Sequence, residues 1–491
     1  MKFGLEQKII DKLIAVFEQH SKVDKALVFG SRAKGNNRSD SDIDIAIKGQ
    51  DLNTDDILSM SVAFEEKGIS HQIDLINYET INEPDLKDHI KRVGIELYSR
   101  WKSVKLQEIV SKLGDGLHGT PEYDIDGEYY FINGNNLIDG KIVIKENTQR
   151  VTEQEYLKYK KELNDRTILL GINGTIGNVA IYNGEKCILG KSACYFNVIN
   201  NVSKDYIKYM VMDKTFQNYI ENFANGSTIM NVSLKVVRDY EFAIPPISEQ
   251  TAIANILTSL DDKIDLLHRQ NKTLEQLAET LFRQWFVEEA EDSWEETSLS
   301  EIADHSKENI HPSKNPTKLY KHYSLPAFDA GKEPILEIGK EILSNKYKVI
   351  SNSILVSKLN PRTPRIWMIY GNVNEDESIC STEFQIVKPK DQKWYGFIYC
   401  FLKSYNVTQE LAGASSGTSG SHQRVNPQDI FNLTFFKPTD ILVEKFSKVI
   451  DNYLVKINNN QTQIRTLTQT RDNLLPKLMS GEVRVKMSEH D

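Results

Sequence analysis

Cysteine is scarce in this 491-residue chain, and none of it lies in a metal-binding pattern. The four cysteines, Cys187, Cys194, Cys380 and Cys400, form no CxxC pair and no zinc spacing, so reduced thiols in a cytosolic, cytoplasmic protein are expected. No run approaches the ~18 uninterrupted apolar residues of a membrane span. The N-terminus reads as an amphipathic helix carrying acids and bases, not as a signal peptide. An excess of positive charge is also missing. The formal net charge of −9 argues against a generically adhesive nucleic-acid binder and leaves any DNA binding to local patches. What remains is an ordinary globular composition, long enough for about three or four domains.

The strongest positive feature is a repetition at a shift of 193 residues. An apolar stripe runs through Ile253, Leu257, Leu260, Ile264, Leu267, Asn271, Leu274, Ala278, Leu281 and Trp285. Its steps alternate four and three, the seam of a coiled coil. The shifted positions are Phe446, Ile450, Tyr453, Ile457, Asn460, Ile464, Leu467, Arg471, Leu474 and Leu478, mostly large and apolar again. Trp101, Leu106, Glu108 and Ile109 return as Trp294, Leu299, Glu301 and Ile302, and Pro245 as Pro438. Each unit is therefore a β-rich globule closed by a long helix, with a constant frame and a divergent middle. Two modules reading two different targets would have that form.

The helices span about 39 residues each, roughly 58 Å at 1.5 Å per residue. Ser248 is placed to cap the first, and Pro476 is expected to end or kink the second. The polar seam residues decide the direction of pairing. An antiparallel alignment sets Asn271 beside Asn460 and Ala278 beside Tyr453. A parallel one leaves both amides against Leu or Ile, at about 1–3 kcal/mol for an unpaired buried amide. Antiparallel pairing is therefore expected, with Asn271 and Asn460 as the helix-pairing residues.

The first hundred residues differ in kind. After an amphipathic helix over 5–20, a buried strand at Ala26–Phe29 runs into Gly30-Ser31-Arg32-Ala33-Lys34-Gly35. Such a turn offers backbone N–H groups and a hydroxyl to a phosphate, making Gly30, Ser31, Arg32 and Gly35 the nucleotide-binding candidates. The alternating strand that follows puts Asp42 and Asp44 on one face, and a third strand carries Asp74. Adjacent carboxylates repel unless a cation lies between them, and oxygen ligands suit magnesium. Asp42, Asp44 and Asp74 are thus candidate catalytic and metal-binding residues for phosphoryl or nucleotidyl transfer. The order G-S-x-x-x-G, S-D-x-D and a distant Asp resembles the minimal nucleotidyltransferase family of the DNA polymerase beta superfamily, over residues 1 to about 98. The resemblance implies Mg2+ and a nucleoside triphosphate as cofactors. It leaves open an active transferase, of which some family members act as antitoxins, or an inactive docking module.

In the second module, residues 311–370 hold ten Lys or Arg against four acids. Lys358, Arg362 and Arg365 cluster around two prolines in one loop. Proline-stiffened loops lose little entropy on meeting a phosphate backbone, although an ordinary solvated face reads the same way. The corresponding first-module loop, Gly171–Gly177 with Thr175, is uncharged, and its glycines allow close backbone approach. The segments carrying Ser227 and Arg424 are Ser/Gly-rich; either they wrap DNA or they are flexible loops. Lys358, Arg362, Arg365, Arg424, Thr175 and Ser227 are the DNA-binding candidates.

Three further motifs complete the picture: Asp115-Gly116-Leu117-His118-Gly119-Thr120-Pro121, Ile244-Pro245-Pro246-Ile247-Ser248-Glu249-Gln250, and Arg471-Asp472-Asn473-Leu474-Leu475-Pro476-Lys477-Leu478-Met479-Ser480-Gly481-Glu482. With the duplication, they resemble the specificity subunit of type I restriction–modification systems over residues 100–491. That resemblance implies a bipartite double-stranded DNA target and a role in phage defence. It implies two methyltransferase subunits docked on the helices, a restriction or motor subunit, and S-adenosylmethionine bound by the partner alone. The expected fold is multidomain, α+β and α/β: a nucleotidyltransferase-like domain (1–99), target recognition domain 1 (100–247), spacer helix 1 (248–287), target recognition domain 2 (288–439), spacer helix 2 (440–480) and a tail (481–491). The specificity part would itself be non-catalytic, directing adenine methylation or restriction by its partners. The alternative makes the N-terminal transferase the principal activity and the rest a targeting scaffold.

Overall fold

The computed structural model describes residues 2–20, 22–38, 41–49, 51–224, 230–415 and 423–485. The chain divides into two compact units, residues 1–261 with 470–491, and residues 262–469. Among the described residues no helix is long and apolar enough to cross a membrane.

The first unit opens with a four-stranded sheet in the order Ile73–Asn77, Ile43–Gly49, Val23–Val28, Ile95–Ser99. Ile43–Gly49 pairs antiparallel with Val23–Val28 and parallel with Ile73–Asn77. Helices Gln7–Gln19 and Thr54–Glu66 bury Leu13, Val16, Phe17, Met60 and Phe64 against Val28, Ile43, Ile45 and Ile47. Because side chains alternate along a strand, burying Ile43 and Ile45 turns Asp44 to the other face. Helix Thr54–Glu66 starts at a reciprocal capping box between Asn53 and Asp56.

The same unit then builds the first module. A six-stranded sheet runs Val110–Asp115, Ala193–Val198, Thr167–Gly171, Val179–Ile181, Gly140–Ile142, Leu137–Ile138. A smaller sheet joins Arg150–Val151, Tyr129–Ile132 and Cys187–Leu189. Strand Glu241–Ile244 returns to pair with Lys102–Lys105.

The second unit repeats this plan. Ala303–Ser306, Phe384–Pro389, Ser353–Ser357 and Ile366–Ile369 form the same antiparallel ladder as the first four strands of the larger sheet. Strand Thr434–Phe436 returns to Glu296–Ser298, 193 residues beyond its counterpart. The four cysteines are free and buried, and burial pushes the Cys187 and Cys400 thiols up to about 12, so they stay protonated and inert.

Two long helices, Ile247–Arg283 and Asp440–Met479, contribute to both units. In the first unit Ile253, Ala254 and Leu257 pack with Leu478, and Arg471 Nη1 donates to Asp261 Oδ1 at 3.0 Å. In the second, Asn460 Nδ2 donates to Asn271 Oδ1 at 2.8 Å, and the rings of Phe282 and Phe446 lie 6.2 Å apart. Within each unit, partner numbers fall on one helix as they rise on the other, so the helices run antiparallel there. Ala278 and Tyr453 share one core cluster.

Three details differ from the sequence reading. The first helix starts at Ile247, so Ser248 lies inside it and cannot be its cap. Instead Gln250 ties the start down, its Nε2 donating to Pro245 O at 2.8 Å and its Oε1 accepting from Ser203 N at 2.9 Å. Pro476 does not stop the second helix, which continues to Met479. The seam also drifts: Phe282, Phe286 and Leu454 are buried where Leu281, Trp285 and Tyr453 are only partly so. A straight α-helix at 3.6 residues per turn slides off a 3.5-residue repeat, by about 20° per heptad.

Asn460 is fully buried and Asn271 half-buried, so replacing Asn460 removes the seam partner of the Asn271 carbonyl. Asn460→Leu is expected to cost about 1–3 kcal/mol. Asn271→Leu with Asn460→Leu should recover most of that loss. Urea unfolding of the four proteins of this cycle measures the coupling, and strictly additive losses would show that the amides act independently.

Candidate functional site

The N-terminal domain brings its acidic residues together through strand pairing. Asp44 and Asp74 are direct partners across the parallel ladder, and Asp42 precedes Asp44 by two residues. Asp42 and Asp74 are exposed, Asp44 half-buried. Burial, then the neighbouring Asp74 and Asp42 charges, push the Asp44 carboxyl above its ordinary range, with Arg32 opposing. Among the described residues, no group of three or more His, Cys, Asp or Glu side chains has the geometry to hold a metal ion by itself. Any cation here would have to complete its shell with other oxygens.

Strand Val23–Val28 leads into a one-turn helix, Gly30–Lys34, that brings Gly30 against this cluster. Gly30 has φ +69°, and a Cβ there would lie 2.1 Å from Asp44 Oδ2. Both the backbone conformation and the space demand glycine. Gly35 caps the turn at φ +71°, its N–H donating to Ser31 O. Ser31 is half-buried beside Gly30.

Arg32 corrects the sequence reading. Its side chain is buried, with Nε donating to Ser41 O and Asp42 O at 3.1 Å and Nη1 to Phe3 O at 3.2 Å. It holds the backbone that presents Asp42 and does not face a ligand. Five charge-assisted donors are best satisfied inside a fold by several carbonyls, and this loop supplies them.

In the two modules, the loop after the central strand is clamped by the same three backbone hydrogen bonds. In the first, Ile172 N donates to Ser192 O at 2.9 Å, Gly174 N to Met230 O at 3.1 Å, and Val232 N to Ile172 O at 2.8 Å. In the second, Lys358 N donates to Glu383 O at 2.9 Å, Asn360 N to Gln423 O at 2.8 Å, and Val425 N to Lys358 O at 2.9 Å. The isolated bridges Asn173–Asn231 and Leu359–Arg424 sit at matching points.

The first-module clamp borders a cleft of about 270 Å³ lined by Asp115, His118, Asn173, Lys191, Asn231 and Ser233, among others. His118 Nε2 lies 2.6 Å from Asp115 Oδ2. Lys191 and Asn231 are exposed, and no partner for either side chain occurs among the described residues. The sequence reading missed Lys191 and both asparagines because an isolated amide or lysine carries no pattern. The repeat did contain the signal, since Asn231 shifted by 193 is Arg424. Thr175 packs inward: a Cβ on Gly134 would meet its Oγ1 at 2.4 Å, so the hydroxyl helps close the loop. Ser227 lies outside the described residues.

The second-module cations separate into two kinds. Arg365 is paired with Asp329 through Nε at 2.7 Å and Nη2 at 2.9 Å, and its side chain is only 17% exposed. It therefore fastens its loop to the helix Leu325–Asp329 and is not a free phosphate contact, because its charge is already neutralised. Arg424 donates to Glu383 through Nε at 3.2 Å and Nη2 at 3.3 Å. Lys358 is half-buried and Arg362 exposed, and neither has an ion-pair partner among the described residues.

An acidic strand cluster beside a glycine turn, followed by duplicated loop clamps on paired helices, defines a nucleotidyltransferase-like domain joined to a two-module reading frame. Known proteins agree. Residues 98–276 match the type I restriction modification DNA specificity domain, and residues 11–103 match the polymerase beta nucleotidyltransferase family. The MjaIX specificity subunit of Methanocaldococcus jannaschii is 28% identical over 65% of this chain and 78% of its own length. The HindI specificity subunit of Haemophilus influenzae is 23% identical over 58% of this chain and 78% of its own. The crystal structure of a type I restriction–modification S subunit from M. genitalium shares the fold, with a TM-score of 0.50 and 19% identity over 79% of this chain and 97% of that one. The chain therefore carries a type I DNA specificity domain and an appended polymerase-beta-type nucleotidyltransferase domain.

A raised carboxyl pKa lowers stability as pH rises through it, because the folded state holds the proton that the unfolded state has lost. Asp44→Asn is therefore expected to raise the melting temperature of the full chain at pH 7. The gain should shrink as pH falls through the unfolded carboxyl's ordinary value of about 3.9 and vanish well below it, where the wild-type carboxyl is protonated in both states. Thermal melts at pH 7 and well below that value measure it, and an equal shift at both would refute the electrostatic origin.

Proposed function

We propose that this chain is the DNA specificity subunit of a type I restriction–modification complex. It reads a bipartite double-stranded target through its two modules and directs adenine methylation or restriction by partner subunits. The observation that carries this is the repeated three-bond loop clamp, a constant frame bearing different side chains in the two modules. Backbone-held loops with variable side chains suit base reading, where register and code are separate requirements. Two methyltransferase subunits and restriction or motor subunits are the proposed partners, with S-adenosylmethionine bound on the methyltransferase. The proposed setting is the cytoplasm.

The register of Asp44 with Asp74 and the close approach of Gly30 support a second, separable activity, magnesium-dependent nucleotidyl transfer. Asp42, Asp44 and Asp74 would hold the metal, which keeps several non-protein oxygens even in tight sites and so does not need a complete protein cage. When bound, magnesium supplies charge neutralisation at the phosphates. Gly30 lets the Asp44 carboxylate lie against the backbone of the turn, and the Gly30 and Ser31 turn would supply donors to a nucleotide phosphate. Arg32 keeps Asp42 in place from beneath.

Methylation-sensitive sequencing of a host carrying the system should reveal one split motif methylated on adenine, lost when the chain is deleted. Asp42→Ala with Asp44→Ala should abolish nucleotide transfer from a labelled triphosphate while the motif stays fully methylated. Loss of methylation in that variant would show that the two activities are not separable.

A further inference from the structure

The two clamps share a backbone but differ in what they display. Where the first module has Ser192 and Asn231, the second has Glu383 and Arg424. Ser192 Oγ donates to Asn133 Oδ1 at 2.9 Å and accepts from Gly134 N at 2.9 Å, so it serves its own module's turn. Glu383 instead grips Arg424, which reaches across from the neighbouring loop.

This grip sets the direction of the guanidinium. Glu383 occupies Nε and one side of Nη2. The group is planar, so Nη1 and the remaining Nη2 proton point the other way, as two parallel donors at the end of the fork. The Arg424 side chain remains 46% exposed. A guanidinium neutralised by a carboxylate is a poor anchor for a phosphate. Two parallel end-on donors match the O6 and N7 acceptors of guanine in the major groove. On the adjoining loop, Lys358 and the exposed Arg362 carry no such carboxylate among the described residues. They suit phosphates, which reward uncompensated charge.

We infer that Arg424, oriented by Glu383, reads a guanine in the half-site of the second module, while Lys358 and Arg362 contact the DNA backbone. The inference rests on the DNA-reading function proposed above. Glu383 is a positioning residue, acting through Arg424.

The test is selection of a fully randomised duplex library by the full-length chain, with the retained duplexes sequenced at several salt concentrations. The wild type should enrich a split motif containing at least one guanine in one half. Arg424→Ala and the charge-preserving Arg424→Lys should both lose about 5- to 150-fold of preference at one guanine and leave the other half unchanged. Glu383→Gln should weaken the same position only. Lys358→Ala and Arg362→Ala should reduce binding evenly over all sequences and lower the salt slope by about one each. An even loss in Arg424→Lys or Arg424→Ala, with no guanine relaxed, would overturn the inference and leave the DNA-reading function standing. A wild-type chain that enriches no motif would overturn both.

Discussion

The hydrogen bond between Asn460 and Asn271 is the constraint on which the rest depends. Apolar seams are permissive, because Leu and Ile pack acceptably in several registers and in either direction. One seam asparagine in each helix removes that freedom, since only the antiparallel register lets Asn271 and Asn460 meet. A charged contact between the helices reinforces the choice in the first unit. In the first unit Arg471 lies on Asp261, which also accepts from Tyr209 Oη at 2.6 Å and faces Lys208 at 3.2 Å. In the second, Lys403 of helix Tyr395–Lys403 ties down Glu275 and Glu279 of the first long helix at 2.8 and 2.7 Å, which fastens that helix to its module and not to the other long helix. Asp261 and Arg471 are mostly withdrawn from water, at 21% and 24% side-chain exposure, so a misregistered pairing would leave each as an uncompensated charge.

The helix start in the first unit also gathers that unit's two domains. Glu249 is almost fully buried and accepts from Trp101 Nε1 at 3.3 Å, with Arg484 3.4 Å away. Arg484 in turn pairs with Asp24 of the N-terminal sheet at 2.7 Å. The residues following the second helix thereby fasten the transferase-like domain to the first module through charge. Arg365 and Arg32 are consumed by the fold, so a basic residue in the sequence is not by itself a displayed charge.

Much of the architecture was legible in the residues because it is periodic. The 193-residue repeat, the four-three seam and the alternating strand around Asp44 are one-dimensional patterns with direct three-dimensional meaning. The acidic trio was legible for a related reason: strand alternation and parallel pairing place Asp42, Asp44 and Asp74 by register alone. The roles of the cations were not legible. Arg32, Arg365 and Arg424 look equivalent in sequence, yet each met a different partner: backbone carbonyls, an aspartate on a short helix, and a glutamate on a neighbouring loop.

The sequence by itself therefore determined the number of modules, the direction in which the helices pair and the strand register that sets Asp44 beside Asp74, because these follow from spacing along one chain. Tertiary structure alone decided which charges are spent on the fold and which are displayed. That outcome depends on contacts across tens to hundreds of residues, such as Glu383 with Arg424 and Asp24 with Arg484, whose energies arise only after the backbone has closed.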